Sequence, residues 1–518
     1  MSIQDKKPLV VVKDASCRLG RDKVLNIDEF AICPSEQWCI YGGNGAGKSI
    51  LAELIAGRRR ESSSYVHYPR GLDPVSDIHI VSFEEQQRLW QVDNRLDMSE
   101  FSDRAEDKGT TVAVLIHSAR VASCADEGLF QSLVDTLGLM PFVDQGIRFL
   151  SSGQVRKALI ARALYAFRDG FEQLIILDDP LETVDLASKK KIEDCIESMS
   201  SSRSCILQLC RREQDILSGC THLAIMESLS IVAQGECSTI QAGEEYARLS
   251  VLPKPIFLPA ATAPPAVEDD SQLPLIELNN VDAGYGGNQI LHKFSWAMMP
   301  GDHVLIEGPN GCGKSTLLSL INGENHKAYG QDVSLFGARK GSGETIWELK
   351  AKFGVVSNEL HNKYQKGWRL LDVVVSGFFD SVGLYDDSDA QQVDEAKRWL
   401  SLVGLESQKG RYYHELSFGQ QRLALLARAM VKGPRILILD EPCVGLDDFH
   451  RSHILQLLDE IAKVTTTQLI YVSHVAAQRP QCLTTSLSFV LNRAGVYEIE
   501  QGLISSPYPS PPPLLSLS

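Results

Sequence analysis

GPNGCGKST occupies residues 308–316, and GGNGAGKS occupies residues 42–49. Both fit G-x-x-x-x-G-K-[ST]. In that pattern glycines let consecutive backbone N–H groups turn inward around phosphate oxygens, the lysine adds a point charge, and the hydroxyl ligates Mg²⁺. The pattern carries this meaning only between a strand and a helix. WCIYGG (38–43) leads into SILAELIAG (49–57), and HVLIEG (303–308) leads into STLLSLING (315–323), so both copies have that context. Further out come LSSGQVRKALIARAL (150–164) and LSFGQQRLALLARAM (416–430). Lys48 to Gly153 and Lys314 to Gly419 are each 105 positions. Two apolar runs ending in carboxylates follow, LIILDDP (174–180) and ILILDEP (436–442). One α/β nucleotide-binding domain is therefore repeated at an offset of 266 residues.

The repeat sets the expected boundaries: a first domain over 8–250, a linker over 251–274, a second domain over 275–503 and a tail over 504–518. The linker, VLPKPIFLPAATAPPAVEDDSQLP, is rich in proline and alanine and reads as extended and semi-rigid. The tail is Ser/Pro-rich and reads as disordered. Between phosphate loop and LS-x-GQ motif, strand-like HIVSF (79–83) and FGVVS (353–357) give way to helix-like segments such as AQQVDEAKRWLSLVGL (390–405). Each domain thus reads as a P-loop α/β core with a mostly helical insertion.

Composition narrows the function classes. Lys and Arg number 51 against 66 Asp and Glu, a net charge of −15, the wrong sign for a protein held broadly to phosphate backbones. Twelve cysteines lie scattered without a C-x-x-C pair, which points to reduced thiols of a cytoplasmic-type compartment. No segment approaches the ~20 apolar residues that span a bilayer. MSIQDKKPLVVVKD has too short an apolar run for a signal peptide. Action at a membrane would need a separately encoded partner, on whose cytoplasmic side the chain would sit peripherally.

The motifs name candidate residues. Gly42, Asn44, Gly45, Gly47, Lys48 and Ser49 form the first phosphate cradle; Gly308, Asn310, Gly311, Gly313, Lys314, Ser315 and Thr316 form the second. Asp178 and Asp440 end the apolar strands, where a carboxylate can hold Mg²⁺ through water, joined by the Ser49 and Ser315 hydroxyls. The next residue is the place for a water-positioning carboxylate: Asp179 in the first copy and Glu441 in the second. Cys312 lies two residues before Lys314 at a helix N-terminus, and both neighbours favour its thiolate. That predicts a thiol open to alkylation and shielded by bound nucleotide, with Ala46 inert at the matching position.

The order of phosphate loop, LS-x-GQ, strand–Asp–acid–Pro and a later strand with histidine resembles the ATP-binding cassette family. LSSGQ and LSFGQ are similar to its LSGGQ signature, assigning Ser151, Gly153 and Gln154, and Ser417, Gly419 and Gln420, to ATP. The resemblance implies head-to-tail pairing of the two cassettes, each ATP lying between one copy's phosphate loop and the other's signature. It also implies Tyr285 as the aromatic that stacks on adenine, His474 as the switch histidine and Asp447 as the D-loop acid.

The first copy departs from this pattern. Cys17 falls at the adenine aromatic's place with Arg18 beside it, Asp179 replaces the glutamate, and Arg211 aligns with the histidine. An arginine cannot accept a proton at neutral pH, so hydrolysis is expected mainly at the second copy's site. Both copies also lack the family's mid-domain glutamine, with Glu84 and Asn358 in its place. The tandem layout, with GSGETIWELK (341–350), is similar to a twin-cassette branch associated with molybdate transport. The alternative is a cassette ATPase working on the ribosome or another cytosolic machine, although translation-type members have longer, charged helical linkers. A DNA-repair cassette would need zinc-binding cysteine pairs or a long coiled coil, and neither is present.

Overall fold

A computed structural model describes residues 7–19, 23–95, 109–120, 124–168, 171–182, 186–199, 204–249, 253, 258, 273–285, 288–309, 311–322, 331–343, 345–364, 367–473, 479–492 and 497–504. The linker between the copies, apart from 253, 258, 273 and 274, lies outside them, as does the tail beyond residue 504. The chain divides into two compact units at Leu252/Pro253, with Leu446–Phe449 counted in the first.

The first unit is built on a nine-stranded sheet. Its strands are β1 (Val10–Leu19), β2 (Lys23–Ile32), β3 (Gln37–Tyr41), β4 (Val66–His67), β5 (Ile78–Val81), β6 (Gln173–Asp178), β7 (Ser204–Cys210), β8 (His222–Glu227) and β9 (Ser230–Glu236). The order is β4-β1-β2-β9-β8-β3-β7-β6-β5. From β8 to β5 the pairing is parallel, as continuous apolar runs such as LIILD predict for strands covered on both faces. β1 and β2 instead alternate buried and exposed positions and pair antiparallel.

The second unit splits the same plan into two sheets. β10 (Ile276–Tyr285), β11 (Asn288–Met298), β13 (Asp332–Leu335) and β14 (Ala338–Arg339) form one, in the order β11-β10-β13-β14. β12 (Val304–Glu307), β15 (Phe353–Val356), β16 (Ile436–Asp440), β17 (Gln468–Ser473), β18 (Thr485–Leu491) and β19 (Tyr497–Leu503) form the other, in the order β15-β16-β17-β12-β18-β19. In both units the glycine loop leaves a central parallel strand, β3 or β12, and enters a helix, Lys48–Ile55 or Lys314–Ile321.

The helical insertions lie where expected. Val112–His117 and Glu127–Thr136 precede the helix Ser152–Tyr165, and Leu370–Val375 and Ala390–Leu402 precede Phe418–Met430. In the first unit Leu115, Phe130, Leu133 and Leu159 share one buried cluster with Ile175 and Leu177 of β6, so the insertion and the sheet have a common core. No helix among the described residues is long and apolar enough to cross a membrane.

Candidate functional site

Glycine is a geometric requirement where each loop turns into its helix. Gly47 (φ 101°) and Gly313 (φ 111°) are left-handed N-caps, and a Cβ on Gly313 would stand 2.1 Å from Ile290 Cγ2. Gly45, Gly308 and Gly311 also have positive φ, while Gly42 and Asn44 complete the first loop. Neither following helix has a side-chain cap or an acidic residue in its first turn, so its leading N–H groups face the loop uncompensated. Lys48 Nζ donates to the carbonyls of Gly42 (2.6 Å) and Gly43 (3.0 Å). Lys314 Nζ does the same to Gly308 and Pro309, both at 2.9 Å. Burial holds the buried Lys48 below its usual pKa despite Asp179 nearby. Thr316 is buried, and Asn310 lies outside the described residues.

The metal-type donors lie at the C-terminal ends of the parallel strands. Ser49 Oγ donates to Asp178 Oδ2 at 2.8 Å. Burial, then the neighbouring Asp179, pushes Asp178 up to about 7; burial, then Glu441, pushes Asp440 up to about 6. Each carboxylate thus favours a cation beside it. Ser315 is exposed at the start of its helix. Among the described residues no three His, Cys, Asp or Glu form a metal-holding group. Hard hydroxyl and carboxylate oxygens with few protein ligands fit Mg²⁺, which shares its shell with phosphate and water.

The two water-positioning candidates share a strained backbone. Asp179 (φ 45°) and Glu441 (φ 49°) are both left-handed, which non-glycine residues seldom adopt and which concentrates at functional sites. The Asp179 N–H donates to Leu209 O (3.0 Å) and the Glu441 N–H to Val472 O (3.2 Å), tying each acid to the adjacent strand.

Their surroundings then diverge. Arg211 holds both oxygens of Asp179, its backbone N–H on Oδ1 (3.2 Å) and its Nε on Oδ2 (2.5 Å), and reaches Glu182 Oε2 at 2.9 Å. Burial works against the Asp179 charge, but Arg211 and then Lys48 win, and its carboxyl is held below the usual range. A carboxylate so clamped is a poor base. In the second copy the sequence has His474 at the arginine's place, outside the described residues.

Two expectations are corrected. Cys17 is fully buried opposite Leu25 in the β1–β2 ladder, whereas β10–β11 sets Ala283 opposite Leu291. Cys17 therefore matches Ala283, and half-buried Leu19 stands where Tyr285 stands in β10. The 266-residue offset between the copies gives the same match, residue 19 to residue 285. Arg18 is exposed, and the first copy has an aliphatic residue at the place matching Tyr285. Cys312 does not open toward the phosphates. It is 2% exposed, packs under the loop with Phe489 in the apolar core, and burial raises its pKa more than Lys314 lowers it.

The signature motifs are helix starts. Ser151 and Ser417 are N-caps whose Oγ accepts from the N–H of Gln154 and Gln420 at 3.3 Å, and each cap N–H in turn donates to that glutamine's Oε1. Gly153 is buried, and a Cβ on Gly419 would meet the His450 ring at 2.3 Å. One turn on, two fully buried arginines had escaped the motif reading. Arg156 donates to Asp178 O at 2.9 Å, fixing the metal-side strand end. Arg422 instead donates to Ser357 O and Asn358 Oδ1. Their signal was present: an arginine two residues after the signature glutamine, repeated in both copies as GQVR and GQQR. Exposed Glu84 adds to the field raising Asp178, and Asp447 is buried.

Known proteins carry the same plan. The family model described as ABC transporter matches residues 25–182 and again 291–444. The ABC transporter ATP-binding protein ModF of Escherichia coli (strain K12) is 35% identical over 492 residues, 91% of this chain and 95% of that protein. An uncharacterised ABC transporter ATP-binding protein of Saccharomyces cerevisiae is 28% identical, over 88% and 91%. Among solved structures, an archaeal ribosome recycling factor, aABCE1, in complex with the ribosomal stalk protein aP1, matches with a TM-score of 0.57 at 15% identity. It covers 95% of this chain and 90% of that one, a likeness of fold alone. Two matched cassettes and a full-length relative establish that the chain belongs to the ABC transporter family, as a tandem-cassette protein that binds and hydrolyses ATP.

Proposed function

We propose that this ATPase turns over mainly at the site built on the second cassette, and that it powers or regulates molybdate transport. The observation that carries the asymmetry is the Arg211 clamp on Asp179 and Glu182, set against Glu441 followed by His474. In this reading Glu441 orients the attacking water, His474 holds the γ-phosphate, and Tyr285 stacks on adenine. Ser315 with Asp440, and Ser49 with Asp178, would hold Mg²⁺, which when bound neutralises phosphate charge. The cassettes pair head to tail, so Ser151, Gly153 and Gln154 close the active site while Ser417, Gly419 and Gln420 close the slow one. Similarity to ModF over nearly the whole chain supports the transport reading and a membrane permease encoded elsewhere, with the chain peripheral to it at the cytoplasmic face.

A second reading has one observation in its favour. Glu84 and Asn358 stand where the family's glutamine couples to a membrane partner, which suits an ATPase acting on the ribosome or another cytosolic machine. Affinity purification of the intact chain separates the two. Recovery of a permease, with ATPase activity responsive to molybdate, supports the first, whereas ribosomal subunits without a permease overturn it.

A further inference from the structure

Sequence spacing pairs none of the cysteines, yet the first unit brings four of them together. Cys39 lies inside β3, Cys210 ends β7, Cys220 precedes β8, and Cys237 opens the helix Cys237–Gln241 after β9. β3 runs between β7 and β8, and β9 pairs with β8, so the topology collects residues up to 198 positions apart on one face. Cys39 and Cys210 are buried; Cys220 and Cys237 are half-buried. All four belong to one packed cluster, and the Cys237 N–H donates to Thr221 O at 2.9 Å, which sets Cys237 beside Cys220. Cys220 Sγ also lies 3.1 Å from His222 O. The cluster is not a metal cage, since no metal-holding group occurs among the described residues.

Cys220 also lines a cavity of about 470 Å³ at the N-terminal ends of the strands, away from the phosphate loop. Trp38, Ile196, Ile206 and Leu217 form its apolar walls, and Glu197 is the carboxylate at its edge. The volume is that of a small-molecule site. Apolar walls with one carboxylate disfavour an anionic guest and suit a small neutral one.

We propose that Cys220 is a thiol–disulfide exchange site that takes a small neutral disulfide from this cavity, with Cys237 as the resolving thiol. The Cys220 thiolate attacks one sulfur of the guest, forming a mixed disulfide and expelling the other half as a thiolate. Cys237 then gives up its proton and attacks the Cys220 sulfur. The second half leaves, both leaving thiolates take up protons, and one guest disulfide has become two thiols as Cys220 and Cys237 are oxidised to a disulfide. The electrostatics assign the roles. A hydrogen bond from the Cys39 thiol stabilises the Cys220 thiolate and lowers its pKa, whereas burial pushes Cys237 up to about 11 and Cys39 well above its usual value.

The test treats the intact, folded chain with hydroxyethyl disulfide, blocks remaining thiols and maps the peptides by mass. The expected product is a Cys220–Cys237 cross-link that accumulates at least about tenfold faster than the adduct on exposed Cys124. In Cys237→Ser the mixed disulfide should be trapped on Cys220. In Cys220→Ser, Cys237 should react no faster than Cys124. Thermal unfolding of each variant confirms that its fold is intact. Absence of an adduct on Cys220 in folded Cys237→Ser overturns the proposal, as does a cross-link from Cys220 to Cys39 instead.

Discussion

At the scale of single residues, the two cassettes differ by what stands beside the acid after the strand. Asp179 and Glu441 share a left-handed backbone, so geometry alone does not separate them. The Arg211 clamp does. Glu441→Gln should lower ATP turnover by roughly 10²–10⁴, the scale of a positioned general base. Asp179→Asn should lower it several-fold at most. Single-turnover assays of both variants decide this, and equal losses would refute the asymmetric reading. Tyr285→Ala should weaken ATP binding by about 1–3 kcal/mol, the range of base–aromatic stacking, in a nucleotide titration. Leu19→Ala should leave affinity nearly unchanged. Cys312, buried with its pKa raised, should alkylate far more slowly than Cys124, with or without Mg-ATP; rapid labelling would mean that the loop opens.

At the scale of elements, the signature is a helix cap before it is anything else. Ser151 and Ser417 each close a reciprocal capping box on a helix whose other residues are largely buried. Removing the hydroxyl orphans an N–H in the first turn. Ser417→Ala should therefore cost about 1 kcal/mol of stability, within the 0.5–2 range of capping serines, measured by denaturant unfolding without nucleotide. A loss seen only with ATP present would assign the hydroxyl to the ligand alone. Strands and glycine turns of this kind were legible from sequence because both depend on near neighbours. An apolar run of β-branched residues and leucine specifies a buried parallel strand, and a glycine forced to φ above 100° specifies the loop's exit. The expectation for Cys17 departed from the repeat's own 266-residue offset, which the β1–β2 and β10–β11 pairings both keep.

At the scale of the whole molecule, each unit carries a half-buried histidine that acid should turn against the fold. Burial, then Arg162, pushes His79 down to about 4; burial, then Arg422, does the same to His361, which lies 3.1 Å from the Tyr413 hydroxyl. The unfolded chain takes up these protons near pH 6.5, the folded chain only near 4. Stability is therefore complete above 6.5 and falls as pH drops between those values, by roughly 1–2 kcal/mol per histidine at pH 5. His79→Gln and His361→Gln should each flatten the acid limb of the unfolding curve, and an unchanged limb would show that neither histidine matters. The sequence by itself determined the duplication, the paired phosphate loops, the helical insertions and the carboxylates at the strand ends. Those features are written in local period and spacing, which a linear reading captures. Only the tertiary structure decided that Arg211 closes on Asp179, that Cys312 turns into the core, and that four scattered cysteines meet. Each of these joins residues from different strands, or depends on which way a side chain points. Sheet order and packing settle such matters, and they are set by burial across the whole unit.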